Sequence, residues 1–317
     1  MAFSTLSRVL LASMLAGSLV LTGCSSSEET AVDMDDAVGV EVAAARVNLV
    51  EAGQFPHEEL RFTDFEQNQQ LQLNLSSTFN QLVDSAAAAA PAPDANASDF
   101  QATLDATTME ATNSDTGSNR SIQVTLNDIT AESAQTSAQQ SHLESAQGFS
   151  FGWYADERGM ISSINFAAPA EATDEGRSLV EGYITQLLSL PVVFPTEPVG
   201  IGGSWTVESS LPAEENLLQT ITYTLLARDG DQLELSMEVA QRPSQGAINY
   251  EDTSLDVISA QTTMSDPAVI KVDLSQPLPC AGAFAYTTRV QYSEAGNDNA
   301  PVVTQDSTVG LNFITNE

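Results

Sequence analysis

Two histidines, two cysteines and a serine beside a glycine pair are the residues through which this chain could do covalent or metal chemistry. His57 follows Pro56, and His142 stands inside a Ser/Gln-rich stretch. A nucleophilic triad needs a histidine base held beside its serine, and the G-x-S-x-G turn that would present such a serine is absent. Gly202–Gly203–Ser204–Trp205 comes nearest and reads as a tight turn entering a strand. For a metal there is no H-E-x-x-H, no cysteine pair and no acidic calcium loop. These patterns predict a protein that is not an enzyme and has no cofactor or metal centre. Cys280, between Pro279 and Ala281, reads as a small buried apolar residue. A reactive thiol wants nearby cations, and the closest in sequence are Lys271 and Arg289.

Cys24 is a different case. Arg8 supplies a positive start, Val9 to Leu21 is an apolar run too short to span a bilayer, and the run ends in Leu21–Thr22–Gly23–Cys24. That ending resembles a bacterial lipobox, in which the cysteine thiol takes a diacylglycerol before the leader is cut. Residues 1–23 are then a lipoprotein signal peptide, and lipid is attached at Cys24. One acyl chain holds weakly and two or three hold stably, at about 0.8 kcal/mol per buried CH₂. The expected location is extracytoplasmic, with the chain anchored to a bacterial membrane. With Cys24 acylated, Cys280 has no internal disulfide partner, so the core must hold itself together.

The elements that would position a binding site lie from Thr173 to Val207. Leu179, Val180, Tyr183, Ile184, Leu187 and Leu188 fall on one stripe of a helix over residues 173–190. Pro191 stops it, Val192–Val193–Phe194 runs extended, and Gly200, Gly202 and Gly203 turn the chain into a strand at Trp205. The stripe is either a lid closed on the core or one wall of an apolar groove. Leu179, Tyr183, Ile184, Leu187, Trp205 and Tyr223 are the candidate lining of such a cavity. The competing reading is that Trp205, Tyr223 and Trp153 are plain core.

Net charge is −33, from 43 acidic and 10 basic residues. Such a surface repels nucleic acid, which is excluded as a partner, and serves solubility. Residues 24–39 are polar and acidic and read as a flexible tether, and Val40 to Val50 as a short helix or a first edge strand. From there to residue 317 the pattern is β-rich, in two halves of about 58–170 and 203–315 joined by the helix. Leu60 and Phe62 alternate with polar residues, as do Leu71, Leu73 and Leu75; Phe100 to Ala106 and Ile122 to Leu126 follow. Ala86 to Asp94 and Ala131 to Gln147 read as loops, and Phe149 to Trp153 and Ile161 to Phe166 as a strand pair. In the second half, Ile221–Leu225 and Leu233–Val239 flank a turn at Arg228–Asp231. Leu255–Met264 pairs with Ala268–Leu274, and Phe284–Tyr292 with Val309–Phe313. The fold class expected is mainly β: an antiparallel, hairpin-rich curved sheet, half-barrel or sandwich, with one central amphipathic helix.

Pro195–Thr196–Glu197–Pro198–Val199–Gly200–Ile201–Gly202–Gly203–Ser204–Trp205, then the Tyr223 strand and the Asp229–Gly230–Asp231 turn, resemble an uncharacterised family of bacterial lipoproteins and secreted proteins. The resemblance covers roughly residues 51–313. That family is a domain of unknown function, so it implies no catalytic residue. More remotely, hairpin-rich β structure behind a lipobox is similar to the half-barrel lipid-carrier lipoproteins of mycobacteria and the lipoprotein carriers of Gram-negative bacteria. This implies an apolar small molecule or lipid as partner beside the membrane. A structural or protein-interaction role with no ligand cavity is the alternative.

Anchoring is directly testable. Cys24→Ala is expected to move the chain from washed membranes to the soluble fraction, because acyl chains rather than a spanning helix hold it. Retention of the variant in membranes stripped of other proteins would refute the lipobox reading.

Overall fold

The computed structural model describes residues 38–83, 89–113, 117–132, 136–211, 214–250, 253–294, 296–297 and 300–315. Cys24, the leader and the tether up to residue 37 lie outside the described residues, as does the start of the Ala/Pro run at 84–88. All described residues belong to one compact unit, Val32–Glu317.

Alternation of apolar and polar side chains makes most of the fold, because a period of two gives each strand one buried face. The first half is a meander of β3 (Asn68–Val83), β4 (Phe100–Asn113), β5 (Ser118–Ala131), β6 (Ser150–Ala155) and β7 (Ile161–Ala167). The second contains β8 (Ser204–Leu211), β9 (Glu214–Asp229), β10 (Gln232–Pro243), β11 (Ala247–Tyr250), β12 (Thr253–Met264), β13 (Val269–Asp273), β14 (Ala281–Ser293) and β15 (Val303–Thr315). The meanders are not separate. β15 lies antiparallel to β3 from Thr315↔Leu71 to Val303↔Val83, so both halves form one open antiparallel sheet. The expectation of a mainly β, hairpin-rich antiparallel sheet holds, and the described strands form one open sheet.

The two outer edges of this sheet are capped by consecutive pieces of chain. β1 (Val38–Glu41) pairs with β7, and β2 (Arg46–Glu51) pairs with β8. Only residues 42–45 separate them, so Glu41 and Arg46 lie at most about 18 Å apart, five extended residue steps. A sheet of this width can bring its edges so close only by curling. Val40 to Val50 is therefore two edge strands and not a helix.

The central helix α2 (Asp174–Leu188) lies between β7 and β8 in the chain. Thr173 caps it by accepting from the Gly176 amide at 3.2 Å, and Asp174 and Glu175 suit its positive end. Val180, Ile184, Leu187 and Leu188 are buried, whereas Leu179 and Tyr183 sit half-buried at the margin of the core. A Cβ on Gly176 would run into the carbonyl of His142, so glycine permits the packing of a second helix, α1 (Ser137–Ser145). The Ser/Gln-rich crossing read as a loop thus contains a helix. Thr136 and Gln139 form a reciprocal capping box, and Leu143 is its one buried side chain, too little apolar surface to mark a periodic face.

Two further expectations need correction. Leu60 and Phe62 are buried as their alternation implies, yet residues 59–64 join no ladder. The segment crosses between the halves, donating from Phe62 N to Glu157 O (2.7 Å) and from Thr63 N to Leu274 O (2.7 Å). Leu255–Met264 and Ala268–Leu274 do not pair with each other. Both run along β14, with Met264 opposite Tyr286 and Val269 opposite Ala283. The four residues Ser265–Ala268 bulge outward instead of reversing the chain.

Trp205 is wholly buried, stacks with Tyr223 at 5.7 Å between ring centroids, and donates from Nε1 to Val193 O at 2.7 Å. Trp205→Ala is expected to cost about 3–5 kcal/mol, the usual loss for emptying a buried aromatic site. Urea unfolding reads it; a midpoint equal to wild type would refute this packing.

Candidate functional site

The extended run after α2 has no strand partner, so its carbonyls depend on side chains. Three polar groups on β8 and β9 supply them. Gln219 Nε2 donates to Ser189 O (2.7 Å), the Tyr223 hydroxyl to Pro191 O (3.0 Å), and Trp205 Nε1 to Val193 O. The Phe194 amide donates to Arg158 O at 2.9 Å on the opposite side. Residues 189–194 are thereby fixed across the interior, and the end of α2 is fixed with them.

Beneath this run lies a cavity of about 80 Å³. Leu187 and Leu188 of α2, Trp153 from the first half, and Tyr223, Met237 and Phe284 from the second contribute to its wall. Both meanders therefore build it. Its free space is about half that of an engineered 150 Å³ cavity that accepts benzene. An occupant of any length must widen it, and Met237 is an adaptable side chain on that wall.

Of the six sequence candidates, Leu187 and Tyr223 line the cavity. Ile184 is buried one turn above Leu187, and Trp205 is enclosed between Phe194 and Tyr223. Leu179 and Tyr183 are not part of its wall, and Tyr183 stacks on Phe100 at 4.3 Å. Cys24 is outside the described residues. His57 contacts Gly53 O, and His142 Nδ1 lies 2.9 Å from Thr173 Oγ1. Neither histidine is on the cavity wall. Cys280 is half-buried, and burial pushes its thiol pKa up.

The sequence reading missed the charged residue on the cavity wall, Arg120. Its side chain is 2 % exposed and that of Asp64 is wholly buried. Arg120 donates from Nε to Asp64 Oδ1 (2.8 Å) and from Nη2 to Oδ2 (2.7 Å), a bidentate pair. Thr108 Oγ1 donates to the same Oδ2 at 2.5 Å, and the guanidinium lies 4.1 Å from the centre of the Phe62 ring. One signal was available. Ser118, Arg120, Ile122, Val124 and Leu126 share the inward phase of β5, so alternation alone places a cation on the buried face.

Among the described residues no group of three or more acidic, histidine or cysteine side chains could hold a metal ion. No helix among them is long and apolar enough to cross a membrane. Comparisons with family models, with curated proteins and with solved structures find no match.

Burial pushes the Tyr223 phenol well above its ordinary pKa. Above about pH 10 the unfolded chain releases this proton while the folded chain keeps it. Stability is then expected to fall with rising pH by about 1.4 kcal/mol per unit for such a group, and to be independent of it at lower pH. Tyr223→Phe should remove most of that slope in urea titrations between pH 9 and 11.5. An unchanged slope would show the phenol to be ionisable in the folded state.

Proposed function

We propose that this protein is a membrane-anchored extracytoplasmic lipoprotein that binds or carries an apolar envelope ligand between its curved sheet and α2. The observation that carries the reading is the apolar cavity walled by both halves of the sheet and the end of α2. Burial of apolar surface would supply the affinity, at about 25 cal/mol per Å² removed from water. Lipid on Cys24 would keep the domain beside a source of such ligands. Binding is the role proposed for this wall, whose residues are almost all apolar. The resemblance to uncharacterised bacterial lipoproteins belongs to the same proposal.

A second reading is a protein-interaction lipoprotein, and one observation favours it. The ladder between β3 and β4 stops at Leu75↔Phe100, while β3 continues to Val83 along β15. Residues 76–83 carry no charge, and Phe79, Leu82 and Val83 are exposed. Asp99 covers its start by accepting from the Ser77 amide at 2.9 Å, and the strand edge beyond can accept another strand.

The two readings separate with the soluble Cys24→Ala chain and N-phenyl-1-naphthylamine, an uncharged dye that brightens in apolar surroundings. Saturable binding is expected. Leu187→Ala should weaken it while costing less than the about 2–5 kcal/mol of a fully packed leucine. Absence of saturable binding by the parent chain would overturn the ligand reading in favour of the interaction module.

A further inference from the structure

A buried ion pair is a weak contributor to stability, because removing two charges from water offsets most of their attraction. The Asp64–Arg120 pair therefore invites the question of what else the guanidinium does. Its hydrogen-bonding groups divide cleanly. Nε and Nη2 face the Asp64 carboxylate at 2.8 and 2.7 Å, and one face of the plane covers Phe62. The second N–H of Nη2 and both of Nη1 remain, and Nη1 makes a hydrogen bond of 3.4 Å to Asp156 O, far longer than an N–H donor prefers. Arg120 is also a wall residue of the cavity, in which its neighbours are almost all apolar. The cavity wall is thus largely apolar and includes a nine-tenths-buried donor with capacity to spare.

We propose that Arg120 Nη1 selects the ligand: an uncharged apolar molecule carrying a carbonyl oxygen, such as an ester, whose oxygen accepts from Nη1 while its hydrocarbon lies along Met237, Phe284 and Leu187. This rests on the ligand reading above and narrows it. Charge decides against a free fatty acid. Asp64 already neutralises Arg120, so a second carboxylate would leave net negative charge in an apolar site. A plain hydrocarbon fits the wall but leaves Nη1 with only its long contact. A neutral carbonyl adds a hydrogen bond from a charged donor and no net charge, which favours it over a hydrocarbon of equal length by about tenfold or more.

The test uses the Cys24→Ala chain and displacement of bound N-phenyl-1-naphthylamine by octane, methyl heptanoate and heptanoate at pH 7.5. Methyl heptanoate is expected to displace the dye at about one tenth of the concentration that either of the others needs, or less. Arg120→Lys keeps a cation for Asp64 but lacks the second guanidinium nitrogen, and in it the ester and alkane should agree within about threefold. Equal potency of the three probes on the parent chain overturns the inference and leaves apolar binding intact. So does an ester preference that survives Arg120→Lys. If none of the three displaces dye and the dye itself does not bind, the ligand reading has failed and this one with it. Should Arg120→Lys fail to fold, the ratios on the parent chain decide alone.

Discussion

The ladder between β3 and β15 is the constraint on which this fold depends. It joins residues 71–83 to residues 303–315, and without it the chain would be two meanders, each with an exposed apolar edge. With it, Leu73 and Leu75 face Phe313 and Leu311 in register, and one core extends from β7 to β8 through both halves. Closing a loop of that length has an entropic cost that grows only slowly with length, yet no contact across the seam forms until the last strand is in place. Contacts of such high sequence separation make folding slow, and they make the completed sheet cooperative. The same topology leaves β7 and β8 as outer edges, and the chain answers with β1 and β2, one for each.

Curling a sheet around its own apolar face creates an interior that the strands alone do not fill. Three stretches fill it: α2, the run 189–194 and the crossing at residues 58–66. Only the helix satisfies its own backbone. The other two bring unladdered amides and carbonyls into a low-dielectric space, where an unmet hydrogen bond is costly. Gln219, Tyr223 and Trp205 meet the first run; Thr108 and Arg120 hold the carboxylate that the second brings inside. The polar atoms of the interior are thus props for irregular backbone. The cavity occurs where these two runs and the end of α2 meet, at the place hardest to pack completely.

This explains which parts of the structure were legible in the sequence. Strands such as β5 and β10 read directly, because one face is buried and the other wet, and α2 read directly from its stripe and its terminating proline. Helix α1 did not, since its stability rests on a capping box and on Gly176 of its neighbour rather than on an apolar face of its own. The collinear β12 and β13 were mistaken for a hairpin because Asp266–Pro267 carries the composition of a turn, whereas the register of β14 decides that it is a bulge. Of the candidate site, Leu187 and Tyr223 were reachable from periodicity. Trp205 and Tyr223 as props, and the pairing of Arg120 with Asp64, depend on partners between 12 and 56 residues away in the chain, which no local pattern encodes.

Cations in this protein are too few to be incidental. The chain has ten basic residues against 43 acidic ones, and among the described residues seven arginines (46, 61, 120, 158, 177, 228 and 289) make ion pairs with carboxylates. Arg289 repeats the Arg120 arrangement on a smaller scale, reaching the buried Asp306 through Nε and Nη2, each at 2.7 Å. Exposed pairs of this kind contribute about 0–1 kcal/mol each, so their number is no measure of stability. Their consequence is electrostatic. They leave the field over the domain strongly negative, a field that opposes the approach of phosphates, free carboxylates and anionic headgroups. That field disfavours an anion approaching the concave face, most strongly at low salt. The acidic surface thus carries the same charge preference that is proposed above for the neutralised Arg120 inside.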